Sequence, residues 1–431
     1  MKNKAKLSFL LIILILAAGC KSKPPVTEST VSSVEVLDIF AGVADLFVLR
    51  KDGTLWGVGY NHAGQLGLGE IAQREIAQGS GARNPHIACI NDETGKPFSG
   101  VKAVAVGENH AVILREDGSL WGAGDSSNGE LGLEGGRLAI FTRLKATDTP
   151  ISGAKALAVG NNSTFYIDSG GSLWAAGHNY YGELGLGNQD AQSSFKKVES
   201  AGQSVKALAA GIRHTALLKE DGTLWTAGYN YNGQLGLGDA EDRNSFTEVK
   251  SAGSGITAVA AGNYHTVILK SDGSVWAAGS NFWGQIGFPD SDDRQAFTRV
   301  TDENGNTLTD VREIAARGDI TVLLKADGSL LLAGNYTDPQ AMYDQASEEK
   351  VSGPKEEPQN NQDAKSTFVP LLPDKGAAIK FGSVKKIILG YNSIYVIDSD
   401  GRLWAAGSNR YGQLNLDFDT EASSVLKYIG Q

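Results

Sequence analysis

Six histidines, two cysteines and a recurring aspartate are the side chains of this 431-residue sequence that chemistry would recruit first. His110, His214 and His265 share one position of a repeated segment, each in the pattern Gly-x-x-His. Three such residues could suggest a zinc site. Zinc ligands, however, must converge to about 2.0–2.1 Å from one ion, and residues that recur once per structural unit are held a whole unit apart. The column is therefore expected to be structural, each imidazole bonding a neighbouring backbone. His62, His86 and His178 have no ligand-like spacing. Asp52, Asp117, Asp221, Asp272, Asp327 and Asp400 each precede a Gly, and a tight turn accounts for them. No His-Glu-x-x-His, Gly-x-Ser-x-Gly, calcium loop or phosphate-binding Gly-x-x-x-x-Gly-Lys is present in the sequence. No catalytic residue, metal or cofactor is expected, and the chain reads as a non-enzyme.

Cys20 has a different context. Lys2, Lys4 and Lys6 precede an apolar run from Phe9 to Ala18. That run is shorter than the roughly 20 residues a bilayer span needs, so residues 1–19 read as a secretory signal peptide. The segment Leu16-Ala17-Ala18-Gly19-Cys20 resembles a bacterial lipobox, with Ala17 standing where Leu is usual. The expectation is a lipidated (palmitate-bearing) Cys20 that anchors the chain to a membrane of the bacterial envelope, periplasmic or surface-exposed. Residues 20–33 are polar and Pro-containing, a flexible tether. If Cys20 carries lipid, Cys89 has no disulfide partner, and it is expected to be a small buried hydrophobe. The net charge of −10 argues against nucleic-acid binding, which requires cations to neutralise phosphates.

The elements that must position any site are repeats. "TLWGVGYNHAGQLGLG" from Thr54 recurs from Ser119, Ser172, Thr223, Ser274 and Arg402, with a degenerate copy, "SLLLAGNYTDPQ", from Ser329. The turn glycines recur at about 51-residue intervals, lengthened after the first and sixth copies, and such a period means a solenoid or propeller. Within one unit, "VKALAA", "TALLK", "TLWTAG" and "SFTEVK" read as four strands. The Asp-Gly between the second and third is a hairpin signal, expected as a type I′ turn. Seven units of four strands, without helical periodicity, predict an all-β seven-bladed β-propeller over residues 34–431.

The repeat Gly-x-x-His…Asp-Gly-x-Leu-Trp-x-x-Gly-x-Asn-x-x-Gly-Gln-Leu-Gly resembles that of the regulator of chromosome condensation family. The resemblance implies a seven-bladed propeller and no single activity. The family's nucleotide-exchange and chromatin roles do not suit a secreted acidic lipoprotein. A secreted bacterial β-lactamase inhibitor, a propeller of similar short repeats, shows that loops on this scaffold can block an enzyme.

Two places depart from the repeat. Residues 337–367 are rich in Gln, Asn, Glu, Lys and Pro and are expected to be a disordered insertion. Residues 70–100 lengthen copy one. The ring is expected to close where its ends meet, with strands at Val34–Phe40 and Ser424–Ile429. The six motif Trp residues, including Trp174, are expected in the core.

What remains is a surface. Two variable positions precede the Gly of Asn-x-x-Gly, and aromatics or Arg there suit interface anchors. Tyr180, Tyr231, Phe282, Trp283 and Arg410 are the candidate partner contacts. The expected function is a monomeric, lipid-anchored propeller that binds an unidentified protein partner. An inhibitor of a secreted enzyme and a surface adhesin are the alternatives.

Overall fold

A computed structural model describes residues 36–69, 83–335, 365–371, 384–408 and 422–430, with Leu414, and without positions 147, 303, 304 and 392. Cys20, the tether, Arg410 and residues 337–364 lie outside the described residues. The described chain forms seven four-stranded antiparallel sheets, each made by one repeat. The first strand of each sheet lies at the hub against its neighbours, and the first blade's hub strand meets that of the seventh. This is a seven-bladed β-propeller.

Blade four shows how the repeat folds. Its strands are Val205–Ala210, His214–Lys219, Leu224–Gly228 and Arg243–Glu248. The second strand is buried along nearly its whole length because a blade covers each of its faces. Its turn differs from the expected type I′. Only Gly222 takes positive φ, at 81°, and its N–H donates to Lys219 O at 2.9 Å. This is the three-residue hairpin with Gly at the left-handed position. Asp221 Oδ1 accepts from the Thr223 N–H and hydroxyl at 2.9 and 2.7 Å. The Thr223 hydroxyl in turn accepts from Trp225 Nε1 at 3.1 Å.

That relay corrects the expectation for the tryptophans. Trp56, Trp121, Trp174, Trp225 and Trp276 are half-buried, and only Trp404 is fully covered. The indole N–H needs a partner, and the turn supplies it at the blade's rim. Lys219 and Lys270 lie 4.1 and 4.2 Å from the ring centroids of Trp225 and Trp276, and Arg50 lies 3.8 Å from that of Trp56.

The core sits between blades. One apolar cluster joins Phe165, Leu173 and Leu184 of blade three to Val205, Leu217 and Phe246 of blade four, and comparable clusters fill the other six interfaces. Gly185 has φ +70°, and a Cβ there would lie 2.4 Å from the Phe246 ring. The last Gly of Gly-Gln-Leu-Gly therefore seats the Phe of the next blade's outer strand. The seam between blades seven and one uses the same means, packing Val36, Ile39 and Leu46 against Tyr395, Ile397 and Leu403. Lys386 Nζ bonds Asp38 across it at 2.7 Å. The terminal strands do not pair with each other. Val36–Ala41 is a hub strand, and Ala422–Gly430 pairs at the outer edge with Leu403–Ser408.

The first insertion contains a fourth strand, Arg83–Cys89, and the second runs into one, Lys365–Pro370. The span expected as a disordered loop therefore stops short of Lys365, whose partner is Gly334. Phe368 behind it is buried against blade five. Cys89 is half-buried rather than core. Strand alternation hands the fully buried place to Ile90.

Candidate partner-binding face

The loops that follow the third strands lie on the same end of the propeller as the Gly-x-x-His turns. Tyr229 N donates to Arg213 O and His178 N to Asn162 O, each at 2.8 Å. The motif's own polar residues brace these loops. In blade three, Asn179 Oδ1 accepts from Leu184 N at 2.9 Å and Glu183 Oε2 from Tyr181 N at 3.0 Å. Asn230 and Gln234 repeat this in blade four. Leu184 and Leu235 plug the core beneath. In blades three and four the braced loop holds its first variable residue, Tyr180 or Tyr231, out.

On blades three and four Tyr181 and Tyr231 join an aromatic patch that Tyr264 of blade five extends. The Tyr181 ring lies 4.9 Å from that of Tyr229, edge to face. Tyr229 lies 6.1 Å from Tyr264 and stacks at 6.4 Å on Tyr231. Arg213 sits 4.8 Å from the Tyr181 centroid and donates to its hydroxyl at 3.2 Å. Tyr180 rests on His178, with ring centroids 4.3 Å apart, and His178 Nδ1 is 2.5 Å from Glu183 Oε1. Burial pushes the Tyr229 hydroxyl up to about 12 and raises that of Tyr264. Tyr180 and Tyr231 remain 59% and 68% exposed.

The patch slopes to the hub. Arg317 reaches across it to Val106 O at 2.6 Å, and Asn263 Nδ2 donates to the Tyr391 hydroxyl at 2.6 Å. Asp45 and Asp319 are both pushed up to about 7 by burial. At Asp45 burial outweighs the opposing charge of Arg317.

The family description "Regulator of chromosome condensation (RCC1) repeat" matches residues 101–130, 170–218, 205–234, 221–269, 256–285 and 384–413. In those spans the chain carries RCC1 repeats. It is 29% identical over 274 residues to the ultraviolet-B receptor UVR8 of Arabidopsis thaliana, covering 63% of this chain and 59% of that receptor. To a secretion-regulating guanine nucleotide exchange factor of Bos taurus it is 37% identical over 131 residues, 30% of this chain and 28% of that protein. The chain thus spans less than two thirds of each of these relatives. The crystal structure of yeast RCC1 (Prp20) bound to Kap60 superposes with TM-score 0.67 at 18% identity, covering 98% of this chain and 91% of that one. At that identity the likeness speaks for the fold.

The propeller places the sequence candidates unequally. Tyr180 and Tyr231 are exposed on one face. Phe282 is half-buried, and its ring meets Trp283 at 4.9 Å. Trp283 is 8% exposed and packs into the propeller, its backbone N–H donating to Gln285 Oε1 at 2.9 Å. The reason is its column, the place before Gly that faces the neighbouring blade. The RCC1 histidine column is structural, but its partner is a hydroxyl of the next blade. His110, His214 and His265 lie 3.1, 2.9 and 2.9 Å from the hydroxyls of Thr164, Thr266 and Thr321. Tyr229, Arg213 and Tyr264 belong to the face and were missed. They occupy columns that vary among copies, the place before Asn and the place before His, and that variation was the available signal. Among the described residues no group of three or more His, Cys, Asp or Glu could hold a metal.

Proposed function

We propose that this chain is a non-catalytic, protein-binding RCC1 propeller, monomeric and held at a bacterial envelope membrane through lipid on Cys20. It engages its protein partner, and not nucleic acid, through the tyrosine face. The observation that carries this reading is the exposure of Tyr180 and Tyr231 at the edge of a continuous aromatic patch braced from below. Rigid aromatic side chains lose little entropy on binding and are favoured interface anchors. The yeast RCC1 structure, in which Kap60 is bound, supports a propeller of this kind as a protein-recognition scaffold. Affinity capture with the chain from Lys21 onward, against a Tyr180→Ala/Tyr231→Ala/Phe282→Ala variant, tests it. Loss of a discrete partner in the variant is the expected result, and equal capture by both rules the face out.

A further inference from the structure

The end of the propeller opposite the tyrosines has its own pattern. The second position of the hub strand is exposed in every blade. In five blades it is a cation, namely Lys102, Lys155, Lys206, Arg312 and Lys385. Thr257 and Leu37 complete the ring, Leu37 being 48% exposed. Hub strands run side by side around the axis, so these residues encircle one mouth of the channel. Lys102 Nζ reaches Lys155 O of the next blade at 3.1 Å, and Arg312 likewise bonds Val384 O. The acids at this end include Glu116, Glu220 and Asp310, all exposed. Asp38 is paired with Lys386, and burial raises the Glu313 carboxyl above the usual carboxylate range. Further out, the Asp-Gly carboxylates accept bonds within their own turns, and Arg50, Arg115, Lys219, Lys270 and Lys325 lie beside them in sequence. The tyrosine face is the reverse, with Asp190, Glu241, Asp242, Asp292 and Asp293 exposed around it. In a chain of net charge −10, a ring of cations at one mouth is a polarised arrangement.

The chain enters the fold at this mouth. Val36 opens the first hub strand beside Leu37, so whatever precedes it leaves the propeller there. Cys20 is about 16 residues earlier, a reach of at most about 55 Å when fully extended. We propose that the cationic mouth docks on anionic lipid headgroups, with Leu37 against the interface, and turns the tyrosine face away from the membrane. The anchoring reading enters only in saying which surface is near; the docking itself needs no lipid on Cys20. Each cation close to an anionic surface raises partitioning about fivefold, and the effect decays within a Debye length of about 8 Å at physiological salt.

The test is co-sedimentation of the chain from Lys21 onward, which holds all seven blades and lacks Cys20. The vesicles are phosphatidylcholine, with and without phosphatidylglycerol. Binding is expected only with phosphatidylglycerol and should fall as salt rises. Lys102→Ala/Lys155→Ala/Lys206→Ala should weaken it at least tenfold with an unchanged melting temperature, while Tyr180→Ala/Tyr231→Ala leaves it intact. Equal binding to both vesicles, or full binding by the lysine variant, overturns the proposal. So does binding to soluble polyglutamate without binding to vesicles, which would assign the mouth to an acidic protein. These outcomes do not depend on partner capture, so either proposal can fail without the other.

Discussion

Thr266 accepts a hydrogen bond from His214 and thereby fixes which ring nitrogen of that histidine carries the proton. The Thr266 hydroxyl lies 2.9 Å from His214 Nε2 and donates to Gln234 O at 2.7 Å. A hydroxyl has one proton to give, so His214 must supply the other from Nε2. Burial lowers its pKa to about 4, keeping the ring neutral. His265, Thr321 and Gln285 repeat the chain one blade on. At the equivalent place between blades six and seven stand Ile320 and Ile394, both fully buried, an apolar pair in place of the polar one.

Thr266→Val is therefore expected to cost about 1–3 kcal/mol, because it strands both the imidazole N–H and the Gln234 carbonyl in the interior. His214→Ala should lose at least as much. The double variant should fall short of the sum of the two, since both remove one shared bond. Denaturant melts of the three variants check this, and strict additivity would count against the relay.

Asp319 gives a pH signature of definite sign. Burial raises its carboxyl from 3.8 to about 7, against one bond from Asn263. The folded state thus holds this proton more tightly than the unfolded chain. Its contribution is full below about pH 3.8 and is lost as pH rises towards 7. Asp319→Asn removes that loss. The variant should melt higher than the parent near pH 8, with the difference shrinking towards pH 4. The buried histidines act in the opposite direction. His214 and His265, lowered to about 4 and 3, lose stability as pH falls below about 6.5. A thermal melt series across this range separates the two, and a gain for Asp319→Asn confined to acid pH contradicts the assignment.

Removal of the last eight residues should lower the melting temperature sharply. It deletes the pairings Trp404↔Tyr428 and Ala405↔Lys427 and takes Ile429 from the cluster that joins blade seven to blade one. Because the seam is closed by packing and not by a shared strand, loss of the outer strand should loosen the ring as a whole. A scanning-calorimetry trace unchanged from the parent would contradict this.

The repeat made the propeller legible, since a period of about 51 residues with an Asp-Gly turn in each copy leaves few architectures. Finer features escaped for physical reasons. Trp225 looked like core because it is large and recurrent, yet its recurrence serves the Thr223–Asp221 relay at the rim. The strand Lys365–Pro370 was hidden by the polar residues before it. Ser366-Thr367-Phe368 does match Asn244-Ser245-Phe246 of blade four, and Phe368 fills the seat at Gly287 as Phe246 fills that at Gly185. Tyr180 and Tyr231 were readable as variable positions on a fixed loop. Their neighbours Arg213 and Tyr264 come from a different turn, and only the closed ring brings them together.

The most direct test of the partner-binding face is site-specific photocrosslinking in cells. Tyr231 is replaced by p-benzoylphenylalanine in one chain, and Asp221, exposed on the opposite end, in a second. A discrete protein adduct formed from position 231 and absent from position 221 is the predicted result. The same adducts from both positions, or adducts from 221 alone, would contradict recognition through the tyrosine face.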